Sequence, residues 1–231
     1  TQSRSSAASD VYKRQYLDNC EIEFKASQIL VGCGVRPLIY TIFKTILDPL
    51  DTVLYPVPSW NNNHYSFLQS CLKVEISTKP ENKFLLLASE IMPHISHINL
   101  ICLAAPQNPT GAIYTRQQLR DIFDLVLEEN KRRKETQSKP CYIFYDQIYN
   151  DLIFDSDEPF IADPILVNPD IMEYIIYADG ISKSLCATGV RVGWIIANER
   201  LIDKATQIFS HIGAWAARPE QLAVAKYLSL C

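Results

Sequence analysis

The stretch that decides the fold is Ser182-Lys183-Ser184-Leu185-Cys186-Ala187-Thr188-Gly189-Val190-Arg191-Val192-Gly193-Trp194. An apolar run at 174–178 precedes it and a second run at 192–197 ends it, and both predict buried strands. Lys183 therefore lies in a tight connection at a strand end, where open α/β sheets bind their ligands. A lysine that is partly desolvated and close to a second cation can form a Schiff base with an aldehyde. The alternative is an ordinary solvated lysine in a loop.

Four further segments lie where a predicted strand ends. They are Gly32-Cys33-Gly34-Val35-Arg36, Pro56-Val57-Pro58-Ser59-Trp60, Pro106-Gln107-Asn108-Pro109-Thr110-Gly111 and Tyr145-Asp146-Gln147-Ile148-Tyr149. Taken singly, each is compatible with an ordinary turn, because Gly, Pro, Asn and Asp are the usual turn residues. Taken together, they predict that one edge of a sheet gathers all of these side chains.

Strands and helices alternate along the whole chain. Apolar runs predict strands near 28–32, 52–56, 73–77, 98–105, 141–146, 174–179 and 191–197. Amphipathic runs predict helices near 36–48, 62–72, 115–134, 199–212 and 219–230. This alternation predicts an α/β fold, a three-layer sandwich with a mostly parallel sheet.

Three motifs carry a resemblance to a known family. Asn108-Pro109-Thr110-Gly111, Asp146-x-x-Tyr149 and Ser182-Lys183-(x)7-Arg191 occur in the order and approximate spacing of the class I aminotransferases. These enzymes belong to the pyridoxal-phosphate fold type I superfamily, and aspartate aminotransferase is the familiar member. The chain resembles them from about residue 28 to residue 228. The resemblance implies the large domain of a pyridoxal-5'-phosphate-dependent transferase, with the small domain largely missing.

The resemblance also implies a role for each residue that would face the cofactor ring. Lys183 would be the catalytic lysine. Asp146 would face the ring nitrogen and keep it protonated, so that the ring can accept electrons. Asn108 and Tyr149 would hydrogen-bond the phenolic oxygen, and Trp60 would stack on the ring face. The structural alternatives are a strand-end or helix-capping carboxylate, an ordinary turn, a half-buried core tyrosine and a core aromatic residue.

The phosphate would be bound by the remaining cofactor-binding residues of the motifs. These are Gly34, Val35, Arg36, Ser182 and Arg191, of which the first three lead into a predicted helix whose N-terminus attracts anions. The chain departs from the family at two positions. Many relatives have a hydroxyl residue where this chain has Gly180, and a small residue where it has Val35. Neither departure removes a catalytic group. A purely structural turn is the alternative for Gly32-Cys33-Gly34.

The implied function is pyridoxal-phosphate-dependent transfer of an amino group between an L-amino acid, with aspartate as one candidate, and a 2-oxo acid. One alternative is a lyase or decarboxylase of the same fold, and another is a non-catalytic regulatory domain that binds the cofactor. A dinucleotide-binding oxidoreductase is disfavoured, because no Gly-x-Gly-x-x-Gly with a downstream acidic residue is present.

The composition indicates which binding partners and which cellular compartment to expect. The 231 residues are 48% hydrophobic and carry a formal net charge of −4, which gives no electrostatic reason to expect nucleic acid or an anionic membrane. The basic run at 131–134 is interpreted as a solvated helix C-terminus. Seven scattered cysteines show no metal or redox spacing, and a reduced, cytoplasmic protein without a metal site is expected.

The two ends of the chain are unusual. Residues 1–15 contain a serine- and alanine-rich stretch followed by Asp10-Val11-Tyr12-Lys13-Arg14-Gln15, and they resemble a non-native, adaptor-derived segment. Residues 16–231 are predicted to be a cofactor-binding large domain truncated at both ends. The resemblance implies that the full-length protein is a homodimer and that its substrate-carboxylate arginine lies outside this chain. The fragment alone is therefore expected to be inactive.

Overall fold

The structure, a computed structural model, describes residues 24–60, 62–153 and 164–228. The predicted adaptor-derived segment at 1–15 and the boundary that follows it lie outside these residues and stay predictions. Within the described ranges, the chain divides into two compact units. Of the described residues, those at 24–45 and 178–228 form the first unit, and those between 46 and 177 form the second.

All seven predicted strands are present in the described part of the chain, with ends that differ from the predictions by two residues or fewer. They are β1 (Ile29–Gly32), β2 (Thr52–Val57), β3 (Leu72–Ser77), β4 (Leu100–Ala104), β5 (Tyr142–Asp146), β6 (Ile175–Gly180) and β7 (Gly193–Ile196).

The five predicted helices are also present, together with three helices of a single turn that the sequence patterns missed. The α-helices are α1 (Val35–Ile46), α2 (Asn62–Leu68), α3 (Ala88–Ile91), α4 (Arg116–Glu135), α5 (Pro164–Val167), α6 (Ile181–Ser184), α7 (Glu199–Ile212) and α8 (Arg218–Leu228). A four-residue helix is too short to show an amphipathic period, which is why α3, α5 and α6 were not predicted.

The second unit is built on parallel strands. β2 pairs in parallel with both β3 and β4, and β4 pairs in parallel with β5, from Leu100 opposite Tyr142 to Ala104 opposite Asp146. Parallel neighbours require a crossover, which α4 supplies between β4 and β5. The side chains of β4 are almost wholly buried, as expected for a strand with both faces covered. Within β4 and β5 the one charged side chain is that of Asp146, which lies at the end of its strand.

The first unit contains an antiparallel pair. β1 pairs with β7, from Ile29 opposite Ile196 to Gly32 opposite Gly193, and the division between the units falls within β6. Helix α7 begins at the Asn198 cap, whose side chain accepts from the Leu201 amide at 2.9 Å, and ends at Gly213 in the left-handed conformation. The alternation of strands and helices and the parallel pairs of the second unit confirm the predicted α/β class with a mostly parallel sheet.

Helix α4 corrects one detail of the sequence interpretation. It begins at a capping box, in which the side chain of Thr115 accepts from the amide of Gln118. Near its other end, Arg133 is 3% exposed and forms an ion pair of 2.6 Å with the buried Glu129. The basic run is therefore only partly a solvated helix end, because Arg133 faces inward at the spacing of one helical turn from its partner.

In the parts of the chain that the structure describes, no helix combines the length and apolar character needed to cross a membrane.

Candidate active site

Two predicted site residues of the second unit meet directly. Asn108 follows β4, and Tyr149 follows β5, which is the neighbouring strand. Because parallel neighbours end at the same edge of a sheet, the Asn108 Nδ2 comes within 3.4 Å of the Tyr149 hydroxyl and donates to it. Both residues are half-buried. The pair presents an amide and a phenol side by side, a suitable arrangement for binding an oxygen atom of a ligand.

Asp146 is the last residue of β5, three residues before Tyr149. Its side chain accepts one hydrogen bond, from the Ile148 amide at 3.1 Å. Burial of the carboxyl raises its pKa to about 6, and the Ile148 amide offsets only part of that effect. A carboxyl in this state gains from any cationic N–H group that comes close to it, because the neighbour favours the charged form.

Trp60 lies half-buried in the turn that follows β2. Two side chains hold the backbone of this turn. The Thr78 hydroxyl donates to the Val57 carbonyl at 3.0 Å, and the Gln107 amide donates to the Pro58 carbonyl at 2.8 Å. Sequence analysis missed Gln107, since a glutamine within a turn motif gives no local sign of a contact with a residue 49 positions earlier.

The turn before α1 forms the corresponding part of the first unit. Gly34 has a φ of 93°, a left-handed conformation that favours glycine, and α1 begins at the next residue. The first amides of a helix have no acceptor within it and form its positive end. Val35 is half-buried and Arg36 is exposed. This turn has the geometry of an anion site built from backbone N–H groups.

Arg191 lies directly against that turn. Its Nη2 donates to the Cys33 carbonyl at 2.8 Å, and its Nη1 donates to the Thr188 carbonyl at 2.9 Å. A Cβ atom at Gly34 would lie 2.2 Å from Nη2, so a side chain there would displace the guanidinium from its present position. The two bonds fix a permanent cation beside the start of α1.

The structure gives a physical reason for the two departures from the family pattern. A Cβ atom at Gly180 would lie 2.8 Å from the Cα of Gly193 and 3.3 Å from Cγ2 of Val35. A Cβ atom at Gly193 would in turn lie 2.9 Å from the Val35 amide nitrogen. The backbones of β6, β7 and the α1 turn therefore touch without side chains between them. The backbone of Gly193 thus excludes a side chain at position 180, and Cγ2 of Val35 fills part of the space next to it.

Lys183 and Ser182 lie in the one-turn helix α6, directly after β6. The carbonyl of Ser182 accepts from the Thr188 hydroxyl at 2.9 Å, which ties α6 to the loop that carries Arg191. Lys183 is exposed in this chain, whereas Ile181 in the same turn is buried.

Each unit thus supplies a different kind of ligand contact. The first unit offers backbone amides, a fixed guanidinium and a lysine amine, which suit an anionic group and a carbonyl. The second unit offers a buried carboxyl, an aromatic ring and an amide–phenol pair, which suit a heteroaromatic ring. Among the described residues, no group of three or more His, Cys, Asp or Glu side chains is arranged to hold a metal ion.

Two curated aspartate aminotransferases are similar to most of this chain. The chain is 30% identical over 193 residues to the aspartate aminotransferase of Bacillus sp. (strain YM-2), covering 83% of this chain and 46% of the relative. It is 31% identical over 191 residues to the aspartate aminotransferase of Streptomyces avermitilis, covering 82% of this chain and 44% of the relative. The chain therefore spans less than half the length of these two relatives.

Solved structures show the same fold. The aspartate aminotransferase from Thermus thermophilus with maleate matches with a TM-score of 0.85 at 21% identity, covering 97% of this chain and 55% of that one. The aromatic aminotransferase from Pyrococcus horikoshii OT3 matches with a TM-score of 0.85 at 23% identity, covering 96% of this chain and 56% of that one.

A family model described as aminotransferase class I and II matches residues 5–229, nearly the whole chain. The motifs, the fold and the relatives agree with this match, and the chain belongs to the class I and II aminotransferase family.

Proposed function

We propose that the protein to which this chain belongs is a pyridoxal-5'-phosphate-dependent aminotransferase. It would move an amino group between an L-amino acid, with aspartate as the first candidate, and a 2-oxo acid. The family is pyridoxal-phosphate-dependent, and two relatives that are 30% and 31% identical to the chain over the aligned residues are named aspartate aminotransferases. The observation that carries the proposal is the buried carboxyl of Asp146 beside the Asn108–Tyr149 pair.

The residues present fit the cofactor. The Asp146 carboxyl, with a pKa raised to about 6 by burial, would accept from a protonated ring nitrogen and become fully ionised by doing so. Asn108 and Tyr149 would donate to the phenolic oxygen, and Trp60 would cover one face of the ring. In the first unit, the Gly34–Arg36 backbone, Ser182 and Arg191 would bind the phosphate.

Lys183 is proposed as the catalytic residue. When bound, the cofactor supplies an aldehyde that takes up the amino group and a ring that accepts electrons from the substrate Cα. The Lys183 amine would hold the cofactor covalently until a substrate amine displaces it. The released amine would then act as general base and general acid for the proton on the substrate Cα.

The remaining parts of the proposal concern the whole protein. Its substrates would be amino acids and 2-oxo acids, its assembly a homodimer and its compartment the cytoplasm. Neither nucleic acid nor a membrane is expected as a partner. A lyase or decarboxylase would use the same residues up to the point at which the substrate Cα is activated, so product analysis distinguishes the reactions.

The test uses the full-length protein. We expect purification with a yellow bound cofactor, and borohydride reduction should attach that cofactor to the peptide containing Lys183. Aspartate, glutamate and aromatic amino acids are then offered as amino donors in the presence of 2-oxoglutarate. Formation of the matching 2-oxo acid supports transamination. A label on another lysine, or release of carbon dioxide in place of a 2-oxo acid, would overturn the proposal.

A further inference from the structure

Gln107 links two turns that carry proposed ring contacts in the second unit. The Trp60 turn comprises residues 58–60 and the Asn108 turn comprises residues 107–112. The side chain of Gln107 is 3% exposed, and its Nε2 donates to the Pro58 carbonyl at 2.8 Å. The bond joins positions 49 residues apart in the sequence. It is therefore a tertiary contact and not part of a local turn.

The chemistry of the partner fixes how the Gln107 amide is oriented. A carbonyl oxygen accepts only, so the nitrogen of the amide must face Pro58 and the oxygen must face away from it. That oxygen, Oε1, is buried and has no hydrogen-bond partner among the described residues. A buried polar atom without a partner disfavours folding.

The backbone of Gln107 closes the Asn108 turn. Its N–H donates to the Ala112 carbonyl at 2.9 Å, and its carbonyl accepts from the Gly111 amide at 2.6 Å. One residue therefore belongs to the Asn108 turn through its main chain and holds the Trp60 turn through its side chain. A displacement of either turn is transmitted to the other through this amide.

Thr78 provides a natural comparison. Its amide and its hydroxyl both donate to the Val57 carbonyl, each at 3.0 Å, and the residue is 8% exposed. Thr78 thus supports the chain just before the Trp60 turn, but it lies directly after β3 and has no place in the Asn108 turn. Loss of the Thr78 hydroxyl should disturb one turn, whereas loss of the Gln107 amide should disturb both.

We propose that Gln107 is a positioning residue that fixes the Trp60 turn and the Asn108 turn relative to each other. The Trp60 ring and the Asn108 amide would then keep a fixed arrangement for their contacts with the cofactor ring. The contacts of Trp60 and Asn108 with a bound ring rest on the proposed function, whereas the link that Gln107 makes between the two turns does not. An experiment can therefore contradict the proposed function and the link between the turns independently.

The experiment measures hydrogen exchange in the cofactor-free, full-length protein. The Thr78 amide reports on the chain at the Trp60 turn, and the Gly111 amide reports on the Asn108 turn. Gln107→Met keeps the side-chain length and removes the donor, and we expect exchange to accelerate roughly fivefold or more at both amides. Thr78→Val should accelerate exchange at residue 78 alone. If Gln107→Met does not fold, Gln107→Asn replaces it, since its amide is one methylene too short to reach Pro58.

A second readout uses the cofactor-loaded protein. Gln107→Met should shift the pH titration of the cofactor's visible absorbance in the same direction as Asn108→Ala, while Thr78→Val leaves that titration unchanged. Faster exchange at only one of the two amides in Gln107→Met would overturn the coupling. Normal coupling in a protein that binds no pyridoxal phosphate would overturn the proposed function and leave the coupling standing.

Discussion

The two units hold their proposed ligand contacts in opposite ways. In the first unit, Gly180 and Gly193 let three backbone segments touch, and a Cβ atom at either position would come within 3 Å of backbone. In the second unit, side-chain hydrogen bonds from Gln107 and Asn108 hold the contacts, at 2.8 and 3.4 Å. A site built from backbone contacts tolerates almost no change, whereas one built from side-chain contacts can be adjusted in small steps. The predictions below test this contrast.

The largest effect is expected at Lys183, the one residue of the first unit whose side chain is proposed to react. Lys183→Ala should lower the turnover of the full-length protein by at least about 10⁴-fold, because both the covalent anchor and the general base are lost. Cofactor binding without a covalent bond should remain measurable by dialysis and absorbance. Lys204→Ala, on the exposed side of α7 in the same unit, is the control and should keep normal turnover.

The next largest effect tests the backbone contact itself. Gly193→Ala should lower the free energy of unfolding by about 3 kcal/mol, because the new methyl group would lie 2.9 Å from the Val35 amide nitrogen. Gly189→Ala is the matched control in the same loop region, since a Cβ atom there meets nothing within 4 Å. It should change stability by no more than about 0.5 kcal/mol in urea denaturation. Equal losses in the two variants would contradict the backbone argument.

In the second unit, a substitution at Asp146 is expected to raise the free energy of unfolding, in contrast to the loss expected for Gly193→Ala. The raised pKa of Asp146 means that the folded protein holds this proton more tightly than the unfolded chain does. Stability is therefore lost as the pH rises from the usual 3.8 through about 6. Asp146→Asn should remove this loss and make the cofactor-free protein about 3 kcal/mol more stable at pH 7, since each pKa unit corresponds to about 1.4 kcal/mol, while turnover falls.

The measurement is the difference in unfolding free energy between the Asp146→Asn variant and the unmodified protein from pH 4 to pH 8. That difference should be small at pH 4, grow through pH 6 and then stay constant. A difference that does not depend on pH would show that the Asp146 carboxyl is ordinarily solvated.

The smallest effect on stability is expected at Tyr149. The Asn108–Tyr149 hydrogen bond is long, at 3.4 Å, and Tyr149 is half-buried. Tyr149→Phe should therefore cost less than about 1 kcal/mol in unfolding free energy. The same variant should raise the pKa of the cofactor's visible absorbance, because the phenolic oxygen loses a donor. Tyr142→Phe, at the opposite end of β5, should leave the titration unchanged. An unshifted titration in Tyr149→Phe would remove this residue from the site.

The sequence predicted most of the architecture because the relevant signals are local. The apolar runs of β4 and β5 and the amphipathic run of α4 act within a few positions, and so do the motifs at Asn108 and Asp146 at the strand ends. The contacts that explain Val35 and Gly180 join residues 145 positions apart, and no local pattern encodes them. The inward-facing Arg133 and the buried Gln107 were missed for the same reason, since burial depends on what packs against a residue.

The contact between Gly180 and Gly193 makes these two glycines depend on each other. A Cβ atom at Gly180 would lie 2.8 Å from the Cα of Gly193, whereas its distance of 3.3 Å from Cγ2 of Val35 is tight but can be relieved by a small shift of that side chain. The obstacle to a hydroxyl residue at position 180 of this chain is therefore the backbone of β7. A smaller residue at position 35 would not remove that obstacle.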